Sequence, residues 1–250
     1  MHNFTKYTKE HIISALIFAS GIALAGYFIG SSFLKARLQD RYVVVKGLSE
    51  REITSNLAIW PITIKATGNN LTEVNSKIES DRKTLINFLK ECGFNEEEIE
   101  IGTYTVTDLL AQEYGNNISE KNRYIINASV IVKSANVNLV EKATQMLNRL
   151  VQKDIVLASE RGPFYEFTGF NDLKPQMLEE AIKNAHKSAY KFAEDSGNNI
   201  GSLRKANQGI FLFSPAVGEE TDEYSNSQAA RRSVRKKVRL VTTLEYFLKD

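Results

Sequence analysis

Between Ile12 and Leu34 the chain carries no charged residue. At about 1.5 Å per residue, a helix over this run reaches roughly 34 Å, enough for a hydrocarbon layer of about 30 Å. The run therefore reads as one membrane span, and the chain beyond Leu34 must fold as a domain outside the bilayer. A cleavable signal peptide is the rival reading, because Ala23 and Ala25 form an A-x-A pattern after an apolar stretch preceded by Lys6 and Lys9. Against cleavage, the apolar run continues through Tyr27, Phe28, Ile29, Phe33 and Leu34, where a mature chain usually turns polar. The favoured reading is a retained signal anchor: a short tail at 1–11, a transmembrane helix at 12–34, a linker at 35–41 and one domain at 42–250.

Gly26 and Gly30 form a GxxxG pair, with Gly21 and Ala25 as a second small pair, and small residues let helices approach closely in lipid. The same glycines also fit the ordinary composition of membrane helices. Orientation pulls two ways. Lys35, Arg37, Arg41 and Lys46 after the span outnumber Lys6 and Lys9 before it, which by the positive-inside rule leaves the domain in the cytoplasm. A short tail ahead of a first span is also the layout of a signal anchor that exports the domain behind it.

The domain reads as α+β. Ala58, Trp60, Ile62, Ile64 and Ala66 alternate along a strand, after a β-branched run at Tyr42 to Lys46 and a polar break at Glu50 to Glu52. Pro61 lacks an amide donor and belongs on an edge or at a bulge. Asn70 and Glu73 form a capping-box pattern ahead of a helix that buries Leu71, Val74, Ile78, Leu85 and Leu89 and ends at Gly93. Two strands, Ile99 to Leu109 and Tyr124 to Val132, flank a polar loop containing Gly115, Asn116 and Asn117. A helix at Val137 to Val151 and a strand at Asp154 to Ala158 come next.

The third helix, Pro175 to Ser196, gathers Leu178, Ala181, Ile182, Ala185, Ala189, Phe192 and Ala193 on one stripe of mostly small side chains. Such a stripe lets the helix lie close on a sheet. A strand near Lys205 to Phe213, a polar, mobile loop at 214–232 and a last strand at Val234 to Phe247 complete the order ββαββαβαββ. Short polar connections imply hairpins, so the expected architecture is a mixed, largely antiparallel sheet covered by helices and preceded by one N-terminal transmembrane helix.

Chemistry is sparse. The chain has 250 residues, a formal net charge of +2 and a single cysteine, Cys92. No global field draws it to nucleic acid, and no intramolecular disulfide can form. His2, His11 and His186 with one cysteine make no zinc pattern, and no nucleotide, hydrolase or metalloprotease motif is present, so no cofactor, metal or catalytic residue is assigned. His186 reads as part of a solvated helix face, and Asp108 and Glu113 as solubilising carboxylates near the hairpin loop. The run Arg231, Arg232, Arg235, Lys236, Lys237 and Arg239 lacks the interleaved aromatics of a nucleic-acid site. Arg235, Lys237 and Arg239 share one strand face; they guard an edge, or they meet lipid headgroups or the acidic segment Glu219, Glu220, Asp222 and Glu223 of another subunit. Tyr165, Phe167 and Phe170 cluster ahead of the alanine-rich helix and are candidates to line a pocket.

Several segments in order carry a family resemblance: RYVVVKGLSERE at Arg41 to Glu52, LAIWPI at Leu57 to Ile62, YEFTGFNDLKPQML at Tyr165 to Leu178, FAEDSG at Phe192 to Gly197 and ANQGIF at Ala206 to Phe211. Together they resemble the SIMPL-domain family of bacterial envelope proteins. Many members carry a Pro-Asp pair before the second strand, where this chain has Ser55 and Asn56. The resemblance implies an exported, periplasmic or otherwise extracytoplasmic domain on the inner membrane, a tendency to self-assemble and an association with envelope or oxidative stress; it supplies no catalytic residues. The expected function is a non-enzymatic, membrane-anchored homo-oligomer acting as a scaffold or stress-protective assembly. A small-molecule or peptide-binding module with an aromatic pocket is the alternative, and a cytoplasm-facing adaptor is implied if the charge count sets the orientation.

Overall fold

The structure, a computed structural model, describes residues 4–38, 41–111, 122–158, 162–217 and 223–249. His2, Glu113, Gly115, Asn116, Asn117, Glu219, Glu220 and Asp222 lie outside the described residues. Helix α1 (Phe4–Leu38) contains an apolar window, Ala15–Ser32, of mean hydropathy 1.6, long and apolar enough to cross a membrane. The helix runs past Leu34, so the start of the expected linker is helical. Within it, Ser20 and Ser31 donate their hydroxyls to the carbonyls of Leu16 (2.7 Å) and Phe28 (3.1 Å), which satisfies them without water.

The remaining elements are β1 (Tyr42–Thr54), β2 (Leu57–Gly68), α2 (Leu71–Glu91), β3 (Ile99–Asp108), β4 (Tyr124–Ser134), α3 (Val137–Gln145), α4 (Asn148–Val151), β5 (Val156–Leu157), β6 (Phe164–Glu166), α5 (Phe170–Asp195), β7 (Asn199–Asn207), β8 (Phe211–Pro215), α6 (Glu223–Arg232) and β9 (Arg235–Lys249). The fold is α+β with antiparallel sheets. It differs from expectation in connectivity. The described residues form two sheets, one ordered β1-β9-β7 with β8 also on β9, the other β3-β4-β2-β5 with β6 also on β2, so β1 and β2 do not form a hairpin. The polar break at Glu50 to Glu52 is continuous strand. The single strand expected at Lys205 to Phe213 is two, β7 and β8, separated where Gly209 takes φ +74° and a Cβ would meet the Val241 carbonyl oxygen at 2.2 Å. Residues 223–232 of the expected loop form helix α6.

By contacts the chain divides into two compact units. The first comprises Met1–Ser49, Leu178–Ile210 and Val241–Asp250. Here α5 buries Ala181, Ala185, Ala189 and Ala193, one residue per turn, with Val45, Leu244 and Tyr246 completing the core. Ile182 and Phe192, expected on this stripe, are exposed: the buried seam keeps strict i, i+4 spacing and is too narrow to include them. Helix α5 begins at Phe170, ahead of Pro175, and closes at Gly197, where the Asn198 amide donates to the Ala193 carbonyl at 2.8 Å.

The second unit comprises Glu50–Met177 and Phe211–Leu240. Strand β2 lies inside its sheet, not at an edge. Pro61 is tolerated because, on the flank away from β4, β6 ends its pairing at Ile59 and β5 begins at Ile64, leaving Pro61 in the gap. Helix α2 is capped by Asn70, which accepts from the amides of Thr72 (3.0 Å) and Glu73 (3.4 Å). It buries Val74, Ile78, Leu85, Phe88 and Leu89 against Trp60, Ile62, Ile64, Val130 and Val132, while Leu71 stays exposed. The helix expected over Val137 to Val151 is broken into α3 and α4.

Candidate functional site

Strand β9 alternates strictly. Lys236, Val238, Leu240, Thr242, Leu244 and Tyr246 are buried, and Lys236 is only 5 % exposed. A lysine in phase with core residues is unusual, because burial disfavours its charged form. Its Nζ donates to the backbone carbonyl of Tyr165 on β6. Burial pulls its pKa down from the ordinary lysine value to about 8, Glu166 opposing the shift and Arg231 adding to it.

Lys236 lines a cleft of about 270 Å³ in the second unit. Tyr165, Phe167, Phe170 and Phe213 give it aromatic walls, Ile53 and Ala230 add apolar surface, and Glu166, Arg231 and Ser227 supply polar edges. Phe170 meets Phe211 edge-on at 5.2 Å and Phe213 at 5.0 Å, which fixes the first turn of α5 to β8. Lys174 Nζ sits 4.9 Å from the centre of the Phe170 ring. The segment carrying Tyr165 to Phe167 is held by Asn56. Its Nδ2 donates to Thr168 Oγ1 (2.8 Å), its Oδ1 accepts from the Thr168 amide (2.9 Å), and its own amide donates to the Glu166 carbonyl (2.9 Å). Beside it, the Ser55 amide donates to the Val234 carbonyl at 2.8 Å, two residues before Lys236, while the Ser55 hydroxyl is buried without a partner among the described residues.

The structure thus brings Tyr165, Phe167 and Phe170 together around one cleft. Tyr165 also lines a more open hollow of about 480 Å³ with Glu141, Thr144 and Arg232, and its phenol is pushed up to about 12 by burial and by Glu141. The basic run is divided by the strand pleat. On the face opposite Lys236, Arg235 pairs with Glu52 (3.1 Å) and Arg239 with Glu50 (3.5 Å), while Lys237 is half-buried. Two of the three charges considered for lipid or assembly contact are therefore already engaged within the unit. Gly26 and Gly30 lie on open helix surface, with no described residue beyond the helix's own backbone within 4 Å of an added Cβ.

The remaining candidates have local roles. His186 is exposed, its ring edge-on to Tyr246 at 5.6 Å. Cys92 caps α2, and burial pushes its thiol up. Asp108 accepts from Arg123 at 2.8 to 3.2 Å and from the Leu110 amide at 3.0 Å, and the Arg123 bond holds its carboxyl below the usual carboxylate range. Among the described residues no three His, Cys, Asp or Glu side chains converge as metal ligands.

Sequence reasoning missed Lys236 as a site residue by reading it as one charge in a basic run. The period of β9 held the signal, since Lys236 stands two residues before Val238 and four before Leu240. Phe213, Ile53 and Arg231 had no such signal, because only the fold brings them to the cleft.

These features define an α+β domain behind an apolar N-terminal helix, with an aromatic cleft lined in part by a buried lysine. The chain belongs to the SIMPL family, a family of proteins of unknown function (DUF541), whose profile matches residues 43–243. A search of curated proteins returns no match.

Proposed function

We propose that this protein is a single-pass, membrane-anchored binding module that holds a small apolar molecule in the cleft beside Lys236, without turning it over. The observation that carries the reading is the convergence of four aromatic side chains on a cleft holding one buried amine and the charged edges Arg231 and Glu166. The apolar window of α1 supports attachment to a bilayer, and the signal-anchor layout favours the extracytoplasmic face of the inner membrane. The test is saturation-transfer NMR of cinnamyl alcohol with the full chain in lipid nanodiscs, empty nanodiscs serving as reference. Binding that falls at least tenfold in Phe167→Ala supports the reading; no transfer above empty nanodiscs sinks it.

Self-association as a scaffold or stress-protective assembly is the second reading. Strand β3 favours it: among the described residues it pairs with β4 alone, and Ile101 and Val106 are 65 % and 48 % exposed along it. An exposed, apolar edge is a template for pairing with another copy. Light scattering on the full chain in detergent, at several concentrations, distinguishes a stable oligomer from a monomer.

A further inference from the structure

Among the described residues the amine of Lys236 has one hydrogen-bond acceptor, the Tyr165 carbonyl, and the residue as a whole is 5 % exposed. An ammonium in that position leaves two N–H groups without a protein acceptor; a neutral amine leaves one, and a lone pair. Keeping one N–H on the Tyr165 carbonyl fixes the nitrogen while its lone pair remains available. The surrounding surface is aromatic, and a desolvated lysine in an apolar pocket is the arrangement that makes an amine nucleophilic near neutral pH.

We propose that Lys236 captures small aromatic or conjugated aldehydes in this cleft as a reversible imine. The inference rests on the cleft-binding reading and names the ligand class for it. The neutral amine adds to the aldehyde carbon, forming the C–N bond as the carbonyl π electrons move to oxygen. A proton passes from nitrogen to that oxygen to give the carbinolamine, and loss of water forms the C=N bond. Hydrolysis by the reverse path releases the aldehyde, so no oxidant or reductant is consumed. Glu166 and Arg231 line the same cleft; in this proposal the Glu166 carboxylate relays the proton and Arg231 donates to the developing alkoxide. The lowered pKa of Lys236 is consistent with this, since a tenth or so of the amine is neutral at pH 7, against well under a hundredth for an ordinary lysine.

The experiment incubates the full chain in nanodiscs with cinnamaldehyde and sodium cyanoborohydride at pH 7 and maps the reduced adduct by tandem mass spectrometry of peptides. Cinnamyl alcohol, which has the same shape but forms no imine, serves both as competitor and as the probe of plain binding. The expected result is labelling of Lys236 at least about tenfold ahead of neighbouring Lys237, suppressed by the alcohol and absent from that position in Lys236→Arg. Labelling spread over other lysines with Lys236 spared, while the alcohol still binds, overturns the imine and leaves the binding reading standing. If the alcohol does not bind, that reading fails and the imine falls with it. The wild-type labelling map decides between these outcomes even if Lys236→Arg does not fold.

Discussion

A Cβ added to Gly47 would lie 1.9 Å from the carbonyl oxygen of Ala181 and 2.5 Å from the amide nitrogen of Ala185. Strand β1 and helix α5 therefore meet backbone to backbone, and the residues on both sides of the contact are small for that reason. Asn184 Nδ2, which donates to the Leu48 carbonyl at 2.8 Å, and Ser49 Oγ, 2.7 Å from Glu180 Oε2, fasten the same seam.

Gly47→Ala forces the helix off the strand, because the atoms in the way are main chain and cannot rotate aside. The expected cost is about 3 kcal/mol, measured as a lowered thermal midpoint of the detergent-solubilised chain. An unchanged midpoint would mean that the seam opens without penalty.

Lys236 costs stability at neutral pH. Its folded pKa is depressed to about 8 from 10.5, so between those values the unfolded chain binds the extra proton and stability rises with pH. The burial penalty is present in full below pH 8 and gone above about pH 10.5. Lys236→Met is expected to stabilise the domain by about 1 to 3 kcal/mol at pH 7, less whatever the lost bond to the Tyr165 carbonyl contributed, and to flatten the rise. Urea unfolding of both proteins at pH 7 and pH 10 measures it; a variant less stable at pH 7 contradicts the prediction.

Asn56 holds the cleft wall through Thr168, and the two reciprocal bonds suit an acceptor and a donor on one side chain. Asn56→Ala is expected to cost about 1 kcal/mol and to weaken cinnamyl alcohol binding by loosening Phe167. Asn56→Asp keeps the acceptor for the Thr168 amide and can accept from its hydroxyl, so it should retain most of both. Paired unfolding and binding curves separate the two variants.

The edge of β3 should decide any oligomer. Val106→Lys puts a charge on the half-exposed edge and is expected to leave stability within about 0.5 kcal/mol while lowering the molar mass seen by light scattering. An oligomer of unchanged mass would show that β3 is not the contact.

Much of the fold was legible residue by residue. Asn70 and Glu73 announced the start of α2, the alternation from Ala58 to Ala66 announced β2, and the alanines of α5 announced close packing on a strand. These are local signals, set by capping chemistry and by the periods of helix and strand. The aromatic candidates Tyr165, Phe167 and Phe170 were visible as a cluster for the same reason, being neighbours in sequence.

The amino-acid sequence by itself determined that the chain carries an apolar helix able to span a bilayer, that its domain is α+β, and that it belongs with the SIMPL family. Tertiary structure alone decided that β1 and β2 go to different sheets, that Pro61 sits in a gap between two short strands, and that Ile53, Phe213 and Arg231 share a cleft with Lys236. Strand pairing joins residues far apart in the chain, and no local period encodes the partner. A lysine's letter reads as charge wherever it stands. Only the neighbours packed around it turn that charge into a buried amine.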